Sequence, residues 1–414
     1  MTPPPEQVQT MKKTLTALAL LTFALPAAAQ QLRFDDVVRN LRNPDPKVRL
    51  SAIKLLREAK YPEAVAPMAP LVVDPIDEVQ IDAIAAELSF FLDQDMRSKK
   101  MVGFVVEKRK SALAQGAFEL GPYAVWPREV PPELVTSLLQ AVDDENQKVR
   151  LEAIYATGVI ARAPLTADQV ERLKKALDHY DPAVRAAAAS VIGRLKLPGT
   201  GDALLKAVND SQADVRYAAL RALGATRDER AVAALTEQLN FYKKGEGAWA
   251  SLDALAHIAA PASIPVFRER ISDKDPFIRR AAIEGLGRTK DAESIETLEK
   301  LANTDESPMV RLATVFALHM LGRPNYAGRI VDLMASPKVL AQGQEYLVEI
   351  GAPLTPTLLP RLQDPDPDVR EAIADVLGVI GDQSAVNALE AATKDRDGSV
   401  AAAAKRALAR LRAA

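Results

Sequence analysis

The side chains that most often take part in catalysis or metal binding are few and scattered in this sequence. There are three histidines, His179, His257 and His319, and no cysteine. Without cysteine the chain has no thiol nucleophile, no disulfide and no zinc–thiolate site. No local motif assembles a Ser-His-Asp nucleophile, and Gly245-Glu-Gly247 lacks the rest of a phosphate-binding loop. We therefore predict that the chain is not an enzyme.

Two acidic segments resemble cation-binding loops. Asp395-Arg-Asp-Gly398 begins like a calcium loop, but Ala404 stands where the closing glutamate is required. Asp364-Pro-Asp-Pro-Asp368 is acidic enough to bind a cation, yet helix capping already accounts for it. We predict no metal and no other cofactor.

The elements that position these residues are defined by a short phrase that recurs along the chain. From Arg185 onward its arginines lie 31 or 32 residues apart, or about twice that. A fixed period near thirty residues is typical of a solenoid, in which each unit buries its apolar face only against its neighbours. The copies are Asp45-Pro-Lys-Val-Arg49, Asp181-Pro-Ala-Val-Arg185, Asp214-Val-Arg216, Asp275-Pro-Phe-Ile-Arg279, Met309-Val-Arg311 and Asp366-Pro-Asp-Val-Arg370.

Each copy of the phrase predicts the start of a helix. Aspartate is a favoured N-cap, and proline suits the first helical position because it needs no hydrogen-bond partner there. An alanine-rich run with helical spacing follows, and a second amphipathic segment precedes each phrase, so we expect two antiparallel helices per unit. Glycines eight residues after the arginine either end the helix or let another backbone approach; they are Gly158, Gly193, Gly224, Gly287 and Gly378.

The repeated pattern resembles the HEAT repeat, in particular the short HEAT-like repeats of the phycobilisome bilin lyases, from about residue 35 to the C-terminus. The resemblance implies an all-α fold, a right-handed α-solenoid of antiparallel helix pairs (a HEAT-like or armadillo-type superhelix). The His-Glu pairs that bind iron in HEAT-like deoxyhypusine hydroxylases are missing. The resemblance also implies a structural ladder, in which the arginine of one repeat bonds the aspartate of a neighbour, made of Asp45, Arg49, Asp181, Arg185, Arg216, Asp275, Arg279, Arg311, Asp366 and Arg370.

The arginine position recurs often enough to predict about eleven units within residues 30–414. The period breaks once, near residues 95–131, in a segment that combines a basic cluster with aromatic residues in a chain containing only 5% aromatics. Either this segment is a degenerate repeat that packs on the stack, or it is an insertion that binds a partner. Its candidate binding residues are Phe104, Phe118, Tyr123 and Trp126.

The N-terminus has the order of a secretory signal peptide. Met11-Lys-Lys is followed by an apolar run from Leu15 to Leu25 and by a small-residue cleavage site ending at Ala29. We expect residues 1–29 to be removed, residues 1–10 to be an upstream extension of the start, and the mature protein to be periplasmic or secreted. The alternative is an ordinary N-terminal tail. The apolar run is too short to span a bilayer, so we expect no transmembrane anchor in the mature chain.

The charge of the mature chain limits its partners. Removing residues 1–29 takes away two lysines and one glutamate, which leaves 51 basic and 54 acidic side chains and a net charge of −3. Binding to nucleic acid or to an anionic membrane needs a basic field, so we expect neither.

A row of side chains five residues after the arginine position is mainly acidic in the C-terminal half. If the second helices line a concave face, this row and Trp249 form an acidic groove suited to a basic or extended polypeptide; a solvated helix face is the alternative. The sequence thus predicts an exported, non-catalytic protein-interaction scaffold. Other hypotheses are an accessory factor related to the bilin lyases, and an envelope- or carbohydrate-binding module using Trp126, Tyr155 and Trp249. The candidate groove residues are Trp249, Asp253, Glu284, Phe316, Glu345 and Asp375.

Overall fold

The computed structural model describes residues 33–92, 113–162, 164–323 and 326–413. The regular secondary structure of these ranges is entirely helical, and they contain no strand. One isolated β-bridge joins Leu92 to Val125. In chain order the helices are α1 (Phe34–Asn40), α2 (Pro46–Ala59), α3 (Val65–Met68), α4 (Asp77–Phe91), α5 (Leu113–Glu119), α6 (Pro132–Ala141), α7 (Gln147–Ile160), α8 (Ala167–Ala176), α9 (Pro182–Leu195), α10 (Gly201–Ala207), α11 (Ala213–Thr226), α12 (Val232–Tyr242), α13 (Glu246–Ile258), α14 (Ile264–Arg270), α15 (Pro276–Arg288), α16 (Ile295–Thr304), α17 (Pro308–Met320), α18 (Tyr326–Met334), α19 (Leu340–Ile350), α20 (Thr355–Leu358), α21 (Pro367–Ile380), α22 (Val386–Ala392) and α23 (Gly398–Ala413).

The helices alternate between a short first helix and a longer second helix that contains the arginine position. Short 3-10 segments extend several first helices, and the longest are Ala69–Val73 and Leu359–Gln363. Each second helix packs on its own first helix and on the second helix of the next unit. This nearest-neighbour stacking is an α-solenoid, as the period predicted. The second helices are α2, α4, α7, α9, α11, α13, α15, α17, α19, α21 and α23.

The second helices begin where the Asp-Pro phrases predicted. The Asp45 carboxylate accepts a hydrogen bond from the Lys47 backbone N–H at 2.9 Å, and Pro46 occupies the first turn of α2. The carboxylates of Asp181, Asp275 and Asp366 cap α9, α15 and α21 in the same way. The local chemistry of the phrase is therefore sufficient to start these helices.

Four of the five glycines eight residues after the arginine position serve close packing between second helices, and the fifth, Gly158, makes room for the Phe118 side chain. A Cβ on Gly224 would lie 2.7 Å from the Ala254 Cα of the next second helix, and one on Gly378 would lie 2.5 Å from the Ala407 Cα. The helices continue beyond both glycines. Of the two roles expected for these residues, close backbone approach is the correct one.

The apolar core between the two layers of helices consists of two clusters, one N-terminal and one C-terminal, and both include residues of α6 and α7. Most of the buried residues are alanine, leucine, valine and isoleucine. Within the described ranges, no helix combines the length and the apolar character needed to cross a membrane.

Candidate interaction surfaces

The arginines of the repeated phrase bridge successive units. Arg185 donates to both carboxylate oxygens of Asp210, at 2.7 and 2.8 Å, and to the backbone carbonyls of His179 and Tyr180. It thus joins its own loop to the loop of the next unit, and charge-assisted bonds of this kind are among the stronger hydrogen bonds in proteins. The corresponding pairs are Arg49–Asp74, Arg279–Asp305 and Arg370–Asp395. We call these four arginine–aspartate pairs the ladder.

The ladder uses a different aspartate from the one expected. Its carboxylates lie six residues before the next arginine position, whereas Asp45, Asp181, Asp275 and Asp366 cap their own helices. The prediction that these four residues pair with the arginines is therefore wrong. The physical reason is that an N-cap carboxylate is held against the backbone of its own helix, while the earlier aspartate faces the preceding unit.

Three other arginines at the arginine position form no ion pair with a carboxylate of the described residues. Arg216 donates to the Tyr242 hydroxyl at 2.6 Å, and Arg150 donates to the Tyr180 hydroxyl at 3.2 Å. Arg311 donates to the backbone carbonyls of Asp305 and Glu306 in its own loop. At the ladder position the chain has Tyr242, His179 and Met334 in these three places instead of aspartate. The positive charges of these arginines are consequently not neutralised by a ladder aspartate.

The second helices line the inner side of a curved stack. Arg288 of α15 donates to both oxygens of Glu349 in α19, at 2.8 and 2.9 Å, although these helices are two units apart. Arg227, next to α11, approaches the same carboxylate at 3.8 Å from four units away. Helices that are not neighbours can meet only on the concave side of a stack. This side, formed by residues five and nine positions after the arginine position, is named the inner face below.

A buried charge cluster occupies the inner face around Glu284. Its carboxylate is paired with Arg280 and Arg288 at 3.3 and 3.1 Å and accepts a hydrogen bond from the Tyr346 hydroxyl. Burial opposes ionisation of this carboxyl, but the two guanidinium groups, with His257 and the hydroxyl, together lower its pKa to about 2. Glu284 is therefore a charged structural residue in a network whose members satisfy one another.

The prediction of an exposed acidic ridge is wrong for three residues. Glu284, Phe316 and Asp375 are buried, because the curvature of the stack brings other side chains over them. Phe316 stacks on Tyr346 with ring centroids 4.2 Å apart, and Asp375 is paired with buried Arg406. These three side chains offer no surface to a partner.

Two other members of the predicted groove differ from this pattern. Asp253 is half-buried and paired with Arg280 at 2.9 Å, while Glu345 is exposed. The pKa of Glu345 is raised, first by partial desolvation on the inner face and then by the charges of Glu284 and Asp253. A single exposed carboxylate with a raised pKa is a weak attractor for a basic partner.

The aromatic residues near 95–131 divide between described and undescribed parts of the chain. Phe104 lies outside the described residues. Phe118 is in α5, whose first two backbone N–H groups both donate to the buried Glu152 carboxylate at 2.7 Å. The Phe118 ring contacts Tyr155, and the Arg194 guanidinium lies 4.0 Å from its centroid. The described part of this segment thus packs on the inner face of α7 and α9, as expected for the non-binding alternative.

The segment after α5 also reaches the far end of the stack. Arg410 of α23 donates to the backbone carbonyls of Pro122, Tyr123 and Val125 at 2.9–3.1 Å. The Trp126 backbone N–H donates to the Phe91 carbonyl at 2.7 Å, and the Trp126 side chain is half-buried. Burial, followed by the charges of Asp375 and Glu345, raises the pKa of Tyr123. The segment therefore connects the N-terminal units to the last helix and occupies part of the inner face.

The two most exposed aromatic side chains of the described residues lie instead along one edge of the solenoid. This is the edge where each first helix leads into its second helix. Tyr180 is 81% exposed, Phe241 is 73% exposed and Phe277 is 40% exposed, values far above those of the core. Trp249 stacks on Phe277 with centroids 4.4 Å apart, and Tyr242 contacts both Phe241 and Tyr217. We call the set Tyr180, Tyr217, Phe241, Tyr242, Trp249 and Phe277 the aromatic edge.

The histidines do not form a catalytic or metal site in the described ranges. His179 accepts the Asp181 backbone N–H through Nδ1, and His319 lies in the last turn of α17, where burial lowers its pKa. His257 is on the inner face, near Asp253 at 3.7 Å. Across the described residues, no group of three or more histidine, aspartate or glutamate side chains is arranged to hold a metal ion.

Family comparison agrees with this architecture. The family model for HEAT repeats matches residues 135–214, 170–240, 244–319 and 331–413, which together make up more than half of the chain. The chain belongs to the HEAT-repeat family. Comparison with curated proteins finds no match.

Three solved structures that are similar to this chain share little sequence with it. An engineered protein is 18% identical, with a TM-score of 0.32, over 92% of this chain and 98% of its own. Kap95p, in a structure with RanGDP, is 14% identical with a TM-score of 0.39, over 91% of this chain and 55% of its own. YibA of E. coli is 17% identical with a TM-score of 0.33, over 73% and 98% of the two chains.

Sequence reasoning missed two features of these HEAT repeats. One is the set of ladder aspartates, Asp74, Asp210, Asp305 and Asp395, which could have been found from their constant position six residues before the next arginine position. The other is the aromatic edge, of which the sequence reasoning named only Trp249. Its signal was the replacement of that aspartate by Tyr242 or His179, next to an exposed ring in each case.

Proposed function

We propose that this HEAT-repeat protein is an exported, non-catalytic scaffold that binds protein partners through its aromatic edge. The observation that carries the proposal is the exposure of Tyr180, Phe241 and Phe277 on one edge, while the inner face is filled by the chain's own side chains. Large exposed aromatic side chains are enriched at protein interfaces, because they bury much area on binding at a low entropic cost.

The rings of the aromatic edge are held in place without relying on a partner. Trp249 donates its indole N–H to the Asp275 carboxylate at 2.6 Å and stacks on Phe277. Gly247 lets the Tyr242 ring lie against the start of α13, since a Cβ there would be 2.4 Å from that ring. Rings positioned in advance lose little freedom when a partner binds.

Photo-crosslinking tests this surface directly. Benzoylphenylalanine placed at Phe241 should crosslink a partner in cells that make the protein, while the same residue placed at Tyr61 should not. Tyr61 is a suitable control because it is 47% exposed but lies at the opposite edge, between a second helix and the next first helix. Equal crosslinking at both positions, or none at Phe241, would contradict the assignment.

Export is a separate part of the proposal, supported by the order of the lysine pair, the apolar run and the small-residue site before Gln30. Mass spectrometry of the protein recovered from the periplasm or medium should find Gln30 at its N-terminus. An intact N-terminus, at Met1 or Met11, would contradict export by this signal.

The other candidate functions have less support. The rings considered for carbohydrate stacking are already engaged, since Trp249 stacks on Phe277 and Tyr155 packs against Phe118. Trp126 is half-buried beside the end of α4. No contact among the described residues favours a role beside a cofactor-bearing protein.

A further inference from the structure

We infer that the aromatic edge recognises an extended acidic segment of a partner protein, in which carboxylates alternate with apolar side chains. This inference rests on the proposed function and adds the chemistry of the partner. It starts from the ladder: the two most exposed rings of the edge lie at the two places where an aromatic residue has replaced the ladder aspartate.

The first place is the loop between α12 and α13. Tyr242 takes the position of the aspartate and receives the hydrogen bond of Arg216, so this guanidinium has no neutralising carboxylate. Phe241 is next to it and 73% exposed. Lys243 and Lys244 follow, both exposed and without an ion pair to any residue that the structure describes. The loop that carries this exposed ring thus contains two lysines, and its Tyr242 is bonded to a third positive charge.

The second place is the loop between α8 and α9. His179 stands at the ladder position, and Arg150 donates to the hydroxyl of the neighbouring Tyr180, which is 81% exposed. Desolvation and the charge of Arg150 lower the pKa of His179. The imidazole is therefore uncharged at neutral pH, and it does not change the positive charge that Arg150 contributes. Here too a guanidinium that forms no ion pair within the described residues lies near an exposed ring, with its Cζ 5.8 Å from the Tyr180 centroid, although the Asp181 carboxylate is also close to this loop.

The spacing of the two places suits one extended segment. They are separated by a single unit in which the ladder pair Arg185–Asp210 is intact. Packed helices lie 8–10 Å apart, which puts the two places about 20 Å from each other. An extended chain covers about 3.3 Å per residue, so about six residues connect them. Carboxylates would neutralise the cations, and apolar side chains would cover Phe241 and Tyr180.

Lys243 ends α12 with a φ of +60° and a ψ of −33°, in the region that favours glycine. Five other non-glycine residues of the described chain also have a positive φ, among them Lys60 at the opposite edge. This conformation is therefore a general feature of helix ends in the chain. It makes Lys243→Gly a substitution that removes the charge without straining the backbone.

A peptide-display selection tests the inference. Random twelve-residue peptides are selected on the mature protein, and we expect enrichment of Asp and Glu beside Phe, Tyr, Trp or Leu. A synthetic, fluorescein-labelled copy of the most enriched peptide is then measured by fluorescence anisotropy. The double substitution Lys243→Glu and Lys244→Glu should weaken its binding about tenfold or more at 50 mM salt, and less at 500 mM, because salt screens exposed charges.

Variants of matched chemistry separate binding from folding. Lys60→Glu with Tyr61→Ala changes an exposed lysine and aromatic pair at the opposite edge, and it should leave peptide affinity unchanged. Lys243→Gly removes the charge while relieving the strained backbone, so it should weaken binding without lowering the unfolding midpoint. Phe241→Ala should weaken binding at both salt concentrations, since its contribution is apolar.

The outcomes are distinct from those of the crosslinking test. Selected peptides without acidic enrichment, no selected peptides, or equal binding by the edge and control variants would overturn the acidic-segment inference. Tighter binding of a fifteen-nucleotide oligo-dT than of the peptide would also overturn it, because a row of cations and rings is the arrangement used for single-stranded nucleic acid. Crosslinks at Phe241 together with any of these results would leave the scaffold function standing.

Discussion

Arg216 donates its Nε–H to the Tyr242 hydroxyl at 2.6 Å, in the place where Arg185 of the preceding unit is paired with the Asp210 carboxylate. The two arginines have the same position in the repeat and the same bonds to their own loops. A phenol can accept the hydrogen bond but cannot neutralise the charge. One substitution thus keeps the units connected and makes the edge of the solenoid positive.

The ladder pairs should stabilise the stack in a way that depends on pH. Asp210→Asn should lower the free energy of unfolding by about 1–3 kcal/mol, because the largely buried Arg185 guanidinium loses its charged partner. Arg185 lowers the pKa of Asp210. The contribution is therefore present above the ordinary carboxyl pKa of the unfolded chain and is lost as the pH falls towards the folded value.

Urea denaturation between pH 3 and pH 7 checks this prediction, with Asp214→Asn as the control. Asp214 is an exposed residue of the same loop region, so the same change should have almost no effect there. An equal shift of the midpoint in both variants, or a shift in Asp210→Asn that does not depend on pH, would argue against the ladder.

Glycines in similar helices should respond to alanine in opposite directions. Gly224→Ala should destabilise the protein by about 1–3 kcal/mol, because the new Cβ would overlap the Ala254 backbone of the next second helix. Gly328→Ala in α18 should stabilise by up to about 1 kcal/mol, since nothing lies within 4 Å of its added Cβ. In thermal melts, the melting temperature of Gly224→Ala should be lower, and that of Gly328→Ala higher, than that of the unsubstituted protein. A shift of both melting temperatures in the same direction would contradict the packing argument.

The buried carboxyl of Glu87 should reduce stability as the pH rises. Glu87 is fully buried in α4, neither of its oxygens has a hydrogen-bond partner among the described residues, and burial raises its pKa well above 4.5. The unfolded chain loses this proton near pH 4.5 while the folded chain keeps it. The contribution to stability is therefore full below that pH and is lost as the pH rises towards the folded pKa.

Leucine at this position should remove the penalty. The equivalent residue is leucine in most other units, for example Leu56, Leu223 and Leu377. Glu87→Leu should raise the free energy of unfolding at pH 7 by about 1–4 kcal/mol. Glu87→Gln should also remove the pH dependence. It should stabilise the protein less than Glu87→Leu does, because the buried amide is polar. Unchanged melting profiles from pH 4 to pH 8 in both variants would show that Glu87 has a partner in solution.

The charge cluster of the inner face should destabilise the fold when its central carboxylate, Glu284, is neutralised. Glu284→Gln leaves the buried Arg288 and half-buried Arg280 without their shared partner and should cost about 3–5 kcal/mol. Glu345→Gln is the control, because Glu345 is exposed and its pKa is raised. It should have little effect or stabilise slightly. Comparable losses in the two variants, measured by urea denaturation, would contradict the cluster.

Arg410 should hold the last helix against the segment that follows α5. Arg410→Ala removes three hydrogen bonds to backbone carbonyls and should let the two regions separate. Because the chain has no cysteine, dyes can be attached through Arg128→Cys and Lys405→Cys alone. Energy transfer between the dyes should fall in Arg410→Ala and stay constant in Arg412→Ala, which alters an exposed pair with Glu390. Equal transfer in both would show that packing alone closes the stack.

The sequence by itself determined the repeat and the helix starts, and it limited the glycines to two roles. A cap such as Asp45 acts on a backbone N–H two residues away, and Gly224 meets the next copy of its own motif. Both interactions depend on local or nearest-neighbour relations, which a periodic sequence states directly. The HEAT-repeat assignment and the α-solenoid follow from them.

The tertiary structure decided which faces are open. The small rotation between units adds up along the stack, so Arg288 meets Glu349, and Arg410 meets Tyr123, across 61 and 287 residues. No local pattern encodes such long-range contacts. The sequence pattern therefore placed Glu284 on an exposed helix face, although the residue is buried. The choice between two nearby aspartates for the ladder, and the gathering of rings from separate units into the aromatic edge, likewise depend on where the neighbouring unit lies.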